Sequence, residues 1–182
     1  FQHTGPFRRY VEDQFGETID TLFYNNWENI KTYSGLEPRL AARFMIDKNS
    51  SVKASYTRNL QYIHLTSLSA VSMPTDVWIP STELVKPQLG NQFAAGYFRN
   101  FSNDLFETSV EVYYKDMKNL VEYKESVVPG DEVNENIDAQ LTFGRGESYG
   151  LELFVKKRFG KTTGWVGYTW SKTTRQFDEI NA

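Results

Sequence analysis

The 182-residue sequence contains no cysteine. That excludes a disulfide framework, a thiol nucleophile and a cysteine-ligated metal, while leaving the compartment open. Histidine is nearly as scarce. His3 and His64 are the two present, and neither has the spacing of a metal ligand, so no metal and no cofactor is expected. Basic charge is not in excess: the net charge is -3 and the pI about 5.5. That removes the electrostatic footprint of nucleic-acid binding. No apolar run approaches the roughly 18 residues of a membrane helix, and the mean hydropathy is only -0.54. This does not exclude a membrane protein, because a transmembrane β-strand needs about 9–11 residues and alternates apolar with polar.

Aromatic residues are abundant. They make up 15% of the chain, with 11 Tyr, 13 Phe and 4 Trp. Three short polar turns, DKNS (47–50), SNDL (102–105) and GKTTG (160–164), are each flanked by alternating residues. These read as antiparallel hairpins. The expected hairpins cover about 37–63, 91–123 and 141–176, giving about six strands. Long segments lie between them. Residues 64–90 contain Pro74, Pro80 and Pro87, which rule out a central strand. Residues 124–140 and the opening 1–36 also read as irregular, the latter as a loop segment. Short turns therefore alternate with long connections, as in an outer-membrane barrel with short periplasmic turns and long extracellular loops.

Alternation sorts the strands into two faces. Leu40, Phe44, Ile46, Tyr56, Val110, Val112, Leu151 and Leu153 fall on an apolar face, expected to meet lipid. Arg39, Arg43, Lys53, Glu107, Glu111 and Glu152 fall on a polar face of mixed sign, expected to meet a wet lumen. Tyrosines with polar tips on the apolar face suit a membrane–water boundary. Arg58 and Arg99 fall on the apolar face by strict count. Two accounts stay open for them: a position near a strand end, where the membrane cost drops to about 0–1 kcal/mol, or a bulge.

Catalytic constellations are lacking. Glu107 and Glu111 lie four residues apart on one strand face. At about 3.3 Å per residue they are some 13 Å apart, beyond the reach of a glycosidase pair. GRGES (144–148) lacks the lysine of a phosphate loop. We expect no enzyme. The best binding candidate is Trp78, in the stiff stretch MPTDVWIPSTELVKP (73–87), read as an extracellular loop offering an aromatic contact to a ligand.

The phrases LEPRLAARFMIDKNSSVKASYTRNLQYIHLTS, PTDVWIPSTELVKPQ, GYFRNF, VEVYYKDMKN, FGRGESYGLELFVKK and TGWVGYTWSKTTRQF resemble the barrel portion of TonB-dependent outer-membrane receptors. The resemblance runs from about Gly35 to Asn181 and points to the subgroup with an N-terminal carboxypeptidase-regulatory-like domain. It implies an antiparallel, up-and-down, all-β segment, residues 37–182 after an extracellular loop 1–36, of a larger barrel of about 22 strands. It also implies a Gram-negative outer-membrane location and energised import of a scarce ligand such as an iron chelate, oligosaccharide, peptide or cobalamin. The implied partners are the remainder of the barrel and its plug domain, outer-membrane lipid, and an inner-membrane energising complex reached through the N-terminal part. A surface lipoprotein over the loops stays open. The family's best-defined functional residues lie in parts with no counterpart here, so none is carried over, and we expect the chain to be a segment of something longer. The alternative reading is a soluble all-β ligand-binding domain, a sandwich or calyx, in which the apolar face is an interior core.

Overall fold

The structure is a computed structural model that describes residues 1–12, 18–66, 77–124 and 140–177. Expectations for 73–76 and 125–139 fall outside these residues. The described residues form twelve strands: β1 (Gln2–Thr4), β2 (Phe7–Glu12), β3 (Thr18–Tyr24), β4 (Asn29–Thr32), β5 (Arg39–Met45), β6 (Ser50–Gln61), β7 (Ile63–Thr66), β8 (Val77–Pro80), β9 (Gln88–Phe101), β10 (Phe106–Tyr123), β11 (Leu141–Lys157) and β12 (Gly164–Phe177).

Six of them form one antiparallel sheet in the order β12-β11-β10-β9-β6-β5. Neighbours in the sheet are neighbours in sequence once the short β7–β8 ribbon is set aside, an up-and-down meander. The remaining strands pair as three ribbons: β1 with β4, β2 with β3, and β7 with β8. Sequence reading missed these, because strands of three to seven residues are too short to show a clear period.

The long strands are longer than a bilayer requires. β10 has 18 residues and β11 has 17, against the roughly 9–11 of a membrane strand. Their far halves therefore extend beyond any membrane band. The turns lie at the other end. In the first, the Asp47 carboxylate accepts hydrogen bonds from the Asn49 N–H (2.7 Å) and the Ser50 hydroxyl (2.6 Å). The Ser50 hydroxyl first, then the Asn49 N–H, hold that carboxyl below its ordinary range. The turn also begins one residue earlier than its sequence suggested. Ile46 is its first residue, because β5 ends at Met45, and the Ile46 N–H bonds to the Ser50 carbonyl. In the second turn Ser102, Asn103 and Asp104 are all left-handed, with φ of 52°, 52° and 64°.

The buried apolar core is not in the membrane-length part of the sheet. Ile79, Val85, Val121 and Leu141 form it, with Tyr123 and Phe143 packed alongside. It sits where the β7–β8 ribbon and the stretch after it meet the far ends of β10 and β11. A bulge makes this possible. Asn119 is left-handed (φ 56°) and unpaired, so Lys118 faces Arg145 and Leu120 faces Gly144. The extra residue inverts the alternation of β10. Val121 and Tyr123 then share a face with Phe143 and Leu141 instead of the opposite one. The Asn119 amide donates to the Pro87 carbonyl (2.9 Å), tying the bulge to the cap that the β7–β8 ribbon and the stretch after it form against these strand ends.

Candidate functional site

The register aligns the strand faces into continuous rows. Phe44, Val52, Tyr97, Val110, Leu153 and Tyr168 form one row across all six strands. Ala42, Ala54, Ala95, Val112, Leu151 and Trp170 form the next, and Leu40, Tyr56, Phe93, Tyr114, Tyr149 and, on β12, Lys172 the one after it. Leu40, Phe44, Tyr56, Val110, Val112, Leu151 and Leu153 therefore share one face, and Ile46 lies in the turn beyond the paired register.

The face is apolar yet open. Phe44 is 71% exposed and Leu40 65%, and among the described residues nothing packs over them. A sandwich or calyx would have to cover this surface, and an uncovered apolar face of this extent marks contact with another phase or partner. From Phe106 to Tyr114 is eight residues, about 26 Å along the strand and about 20 Å once tilted by ~40°. That is close to the roughly 25 Å apolar band of an outer-membrane barrel.

The band ends sharply at its aromatic row. The Tyr56 hydroxyl donates to the Asn91 side-chain oxygen (3.0 Å) and the Tyr114 hydroxyl to Glu147 (3.4 Å). Both acceptors belong to the next row: Arg58, Asn91, Asp116, Glu147 and Thr174. Rings lie in the band and hydroxyls reach the first polar row, the arrangement expected at a membrane–water interface. Tyr56 and Phe93 pack at 4.9 Å between ring centroids, and Tyr149 and Trp170 at 6.0 Å.

This geometry also decides between the two accounts of Arg58 and Arg99. The β6–β9 register runs through both without a bulge. Arg58 lies beyond the aromatic row, among polar neighbours. Arg99 lies near the turn end, with its guanidinium 4.9 Å from the Phe101 ring centroid.

The opposite face carries the charged residues. One row runs Arg43, Lys53, Gly96, Glu111, Glu152 and Thr169. Arg39 lies opposite Thr57 and Glu107 opposite Lys156. Two shallow recesses line this face. One of about 420 Å³ is bordered by Ala41, Arg43, Lys53, Ser55, Ala94 and Glu111. The other, about 330 Å³, is bordered by Phe98, Glu107, Ser109, Glu111, Glu152 and Phe154. Among the described residues no group of acidic and histidine side chains is arranged to hold a metal ion.

Trp78 is on a strand rather than a loop. β7 and β8 pair with Leu65 opposite Trp78 and His64 opposite Ile79. Alternation turns His64, Thr66 and Ile79 inward and leaves Ile63, Leu65 and Trp78 outward, Trp78 at 65% exposure. Inside, the His64 Nε2 and Ser81 hydroxyl lie 3.1 Å apart, and the Thr66 hydroxyl donates to the Tyr123 hydroxyl (3.2 Å). Burial lowers the His64 pKa. The β1–β4 ribbon joins the same cap, through Phe1 stacked on Tyr62 at 5.5 Å and the Tyr33 hydroxyl bonded to the Thr82 carbonyl (2.7 Å). Sequence reading missed this cap, although the alternation of HLT and VWI around the two ribbon strands was a faint signal.

Compared with known protein families, residues 11–182 match the family model described as TonB dependent receptor-like, beta-barrel. No curated protein and no solved structure matches significantly.

Proposed function

The chain belongs to the TonB-dependent receptor β-barrel family, and from that premise we propose that its sheet is part of the barrel wall of an energised outer-membrane importer. The family consists of receptors and transport proteins, not enzymes. On this reading the Leu40/Phe44/Val110/Leu153 face touches lipid. The face of Arg39, Arg43, Lys53, Glu107, Glu111 and Glu152 lines a lumen occupied by a plug domain. The turns at 46–49 and 102–105 are periplasmic, and the cap with the ribbons is extracellular.

The observation that carries this reading is the aromatic row, where an exposed apolar band gives way within one residue pair to a polar row. The open edges agree with it. Among the described residues β5 and β12 are each paired on one side only, with β6 and β11, and an unpaired edge is not viable in hydrocarbon. Further strands, about 22 in all, would complete the barrel. Trp78 is the proposed ligand contact, a rigid aromatic presented outward on the extracellular ribbon. Its cargo would be a scarce nutrient of the iron-chelate, cobalamin, oligosaccharide or peptide kind, pulled in through the inner-membrane energising complex.

The test is growth of a receptor-deletion strain on limiting supplies of each of these four nutrient classes, beside a strain lacking the energising complex. Loss of one uptake route in both strains is expected, restored by the intact receptor and weakened by Trp78→Ala. Full uptake of all four classes without the receptor would overturn the reading.

A further inference from the structure

The outward face carries a recess just beyond its aromatic row. On β11, Tyr149, Glu147, Arg145, Phe143 and Leu141 alternate with residues of the other face and so share the outward one. Phe143 and Leu141 lie under the cap, packed with Ile79 and Val85. The cap therefore overhangs the outward side of the wall, not the lumen side. Between the overhang and the aromatic row is a recess of about 420 Å³, bordered by Tyr114, Asp116, Arg145, Glu147, Thr174 and Gln176.

Two like-charge pairs are stacked here. Asp116 stands directly opposite Glu147, and Lys118 directly opposite Arg145. The carboxylates are answered from within the sheet. Glu147 accepts from the Tyr114 hydroxyl (3.4 Å) and the Thr174 hydroxyl (3.5 Å), and Asp116 lies 3.9 Å from the Lys118 ammonium. The cations are not. Lys118 has only that long, exposed contact, which contributes little. Arg145 has no ion-pair partner among the described residues. Directly opposed cations repel, and an anion bridging them removes the repulsion. Lys172 adds a further cation in the aromatic row, opposite Tyr149.

We propose that this recess seats the sugar-borne phosphate of a glycolipid in the outer leaflet. The proposal rests on the barrel reading above, which puts the aromatic row at the membrane–water boundary and the cap outside. Arg145 offers a guanidinium fork to the phosphate oxygens, and Lys118 a point charge. The acyl chains continue down over Leu151, Leu153 and Trp170. Height selects the class of lipid. The two cations lie about 13 Å along the strand beyond the aromatic row, and about 10 Å above the boundary once the tilt is allowed for. A glycerophospholipid carries its phosphate next to the acyl boundary, at the level of Asp116 and Glu147, where like charge rejects it. A phosphate carried on a sugar stands clear of the carboxylates and reaches the cations. The overhanging cap closes the recess on its far side.

The experiment uses the full-length receptor, purified from outer membranes and stripped of lipid in mild detergent, with native mass spectrometry counting bound lipid. The probes are a bisphosphorylated glucosamine-disaccharide lipid, the same lipid without its phosphates, and phosphatidylglycerol. The parent is expected to bind the first about tenfold or more tightly than either of the others. Lys118→Ala/Arg145→Ala should lose about tenfold or more of that affinity, and Lys53→Ala on the lumen face about twofold at most. Asp116→Asn/Glu147→Gln should strengthen phosphatidylglycerol binding by roughly threefold or more. Glycolipid affinity within about twofold of the parent in the cation variant overturns the proposal. So does equal binding of the phosphorylated and phosphate-free lipids. Unchanged phosphatidylglycerol affinity in the carboxylate variant overturns the selection by height. Mobility of the unheated protein reports assembly, and if the double cation variant fails to assemble, Arg145→Gln serves, with a loss of roughly threefold expected and unchanged affinity overturning the proposal. A separate readout tests the barrel reading. An environment-sensitive dye on Val110→Cys, with the receptor in vesicles, should emit as in hydrocarbon. Emission as in water would sink the barrel reading. Emission as in hydrocarbon, with lipid binding indifferent to the cations, sinks this proposal alone.

Discussion

The membrane-length half of the sheet and the cap beyond it use the same strands in opposite ways. In the first, from Phe106 to Tyr114 on β10, apolar side chains point outward and stay exposed: Val110 is 44% exposed and Val112 48%. In the second, beyond the Asn119 bulge, apolar side chains of the same strand are buried, with Leu120 at 8% and Val121 at 9%. The cap is organised as a water-soluble domain is, with Ile79 and Val85 removed from solvent and polar residues such as His64 and Thr66 hydrogen-bonded inside. The band has no such core, and its backbone groups are satisfied by the ladder alone. One chain thus contains two solvents' worth of design. The aromatic row is the border, and a single extra residue in β10 lets the strand change from one to the other.

The sharpest way to break this comparison is a charge at adjacent positions in the band. Val110→Arg places a cation on the outward face and is expected to cost about 2–4 kcal/mol of folding free energy. Ser109→Arg, one residue away on the other face, is expected to stay within about 0.5 kcal/mol. Equilibrium urea unfolding of the full receptor in liposomes measures both, and equal losses would end the two-faced description.

A smaller effect, confined to the other region, is expected from the cap core. Ile79→Ala removes a fully buried side chain and should cost about 2–3 kcal/mol locally. Faster amide exchange in 63–66 and 77–80, with unchanged barrel mobility in the unheated protein, is the expected result. If barrel unfolding shifted equally, the two regions would be one cooperative unit.

The smallest effect is a pH dependence belonging to the cap alone. Burial lowers the His64 pKa in the fold, whereas the unfolded segment titrates near its ordinary value of about 6.5. The open cap thus binds a proton that the closed cap resists. Stability is full above about pH 6.5 and declines as pH falls below it toward the folded pKa. Exchange in 63–66, corrected for intrinsic rate, should therefore lose protection between pH 7.5 and 5.5. His64→Gln should abolish the slope. A slope that survives this change would assign the effect to another group.

The faces of the main strands were readable because a two-residue period needs only one strand to be seen. Leu40 and Phe44, or Val110 and Val112, announce themselves without knowing their neighbours. Trp78 was visible as an exposed aromatic, but its ribbon was not. The four-residue strands β7 and β8 carry too little pattern, and Pro80 argues against a strand in isolation. Ile46 lies just past the end of β5, where its N–H bonds across the hairpin to the Ser50 carbonyl, and the exact start of that turn is not visible in the alternation alone.

The sequence by itself determined the all-β class and the two faces, since these follow from side-chain period and chemistry along one strand. Tertiary structure alone decided which residues stand opposite one another. The Arg43–Lys53 and Glu111–Glu152 pairs exist only through register, which depends on turn geometry and the pairing of separate strands. The burial of Val121 and the packing of Tyr123 beside it likewise depend on one left-handed asparagine, whose bulge reverses a face that local alternation would have assigned to the other side.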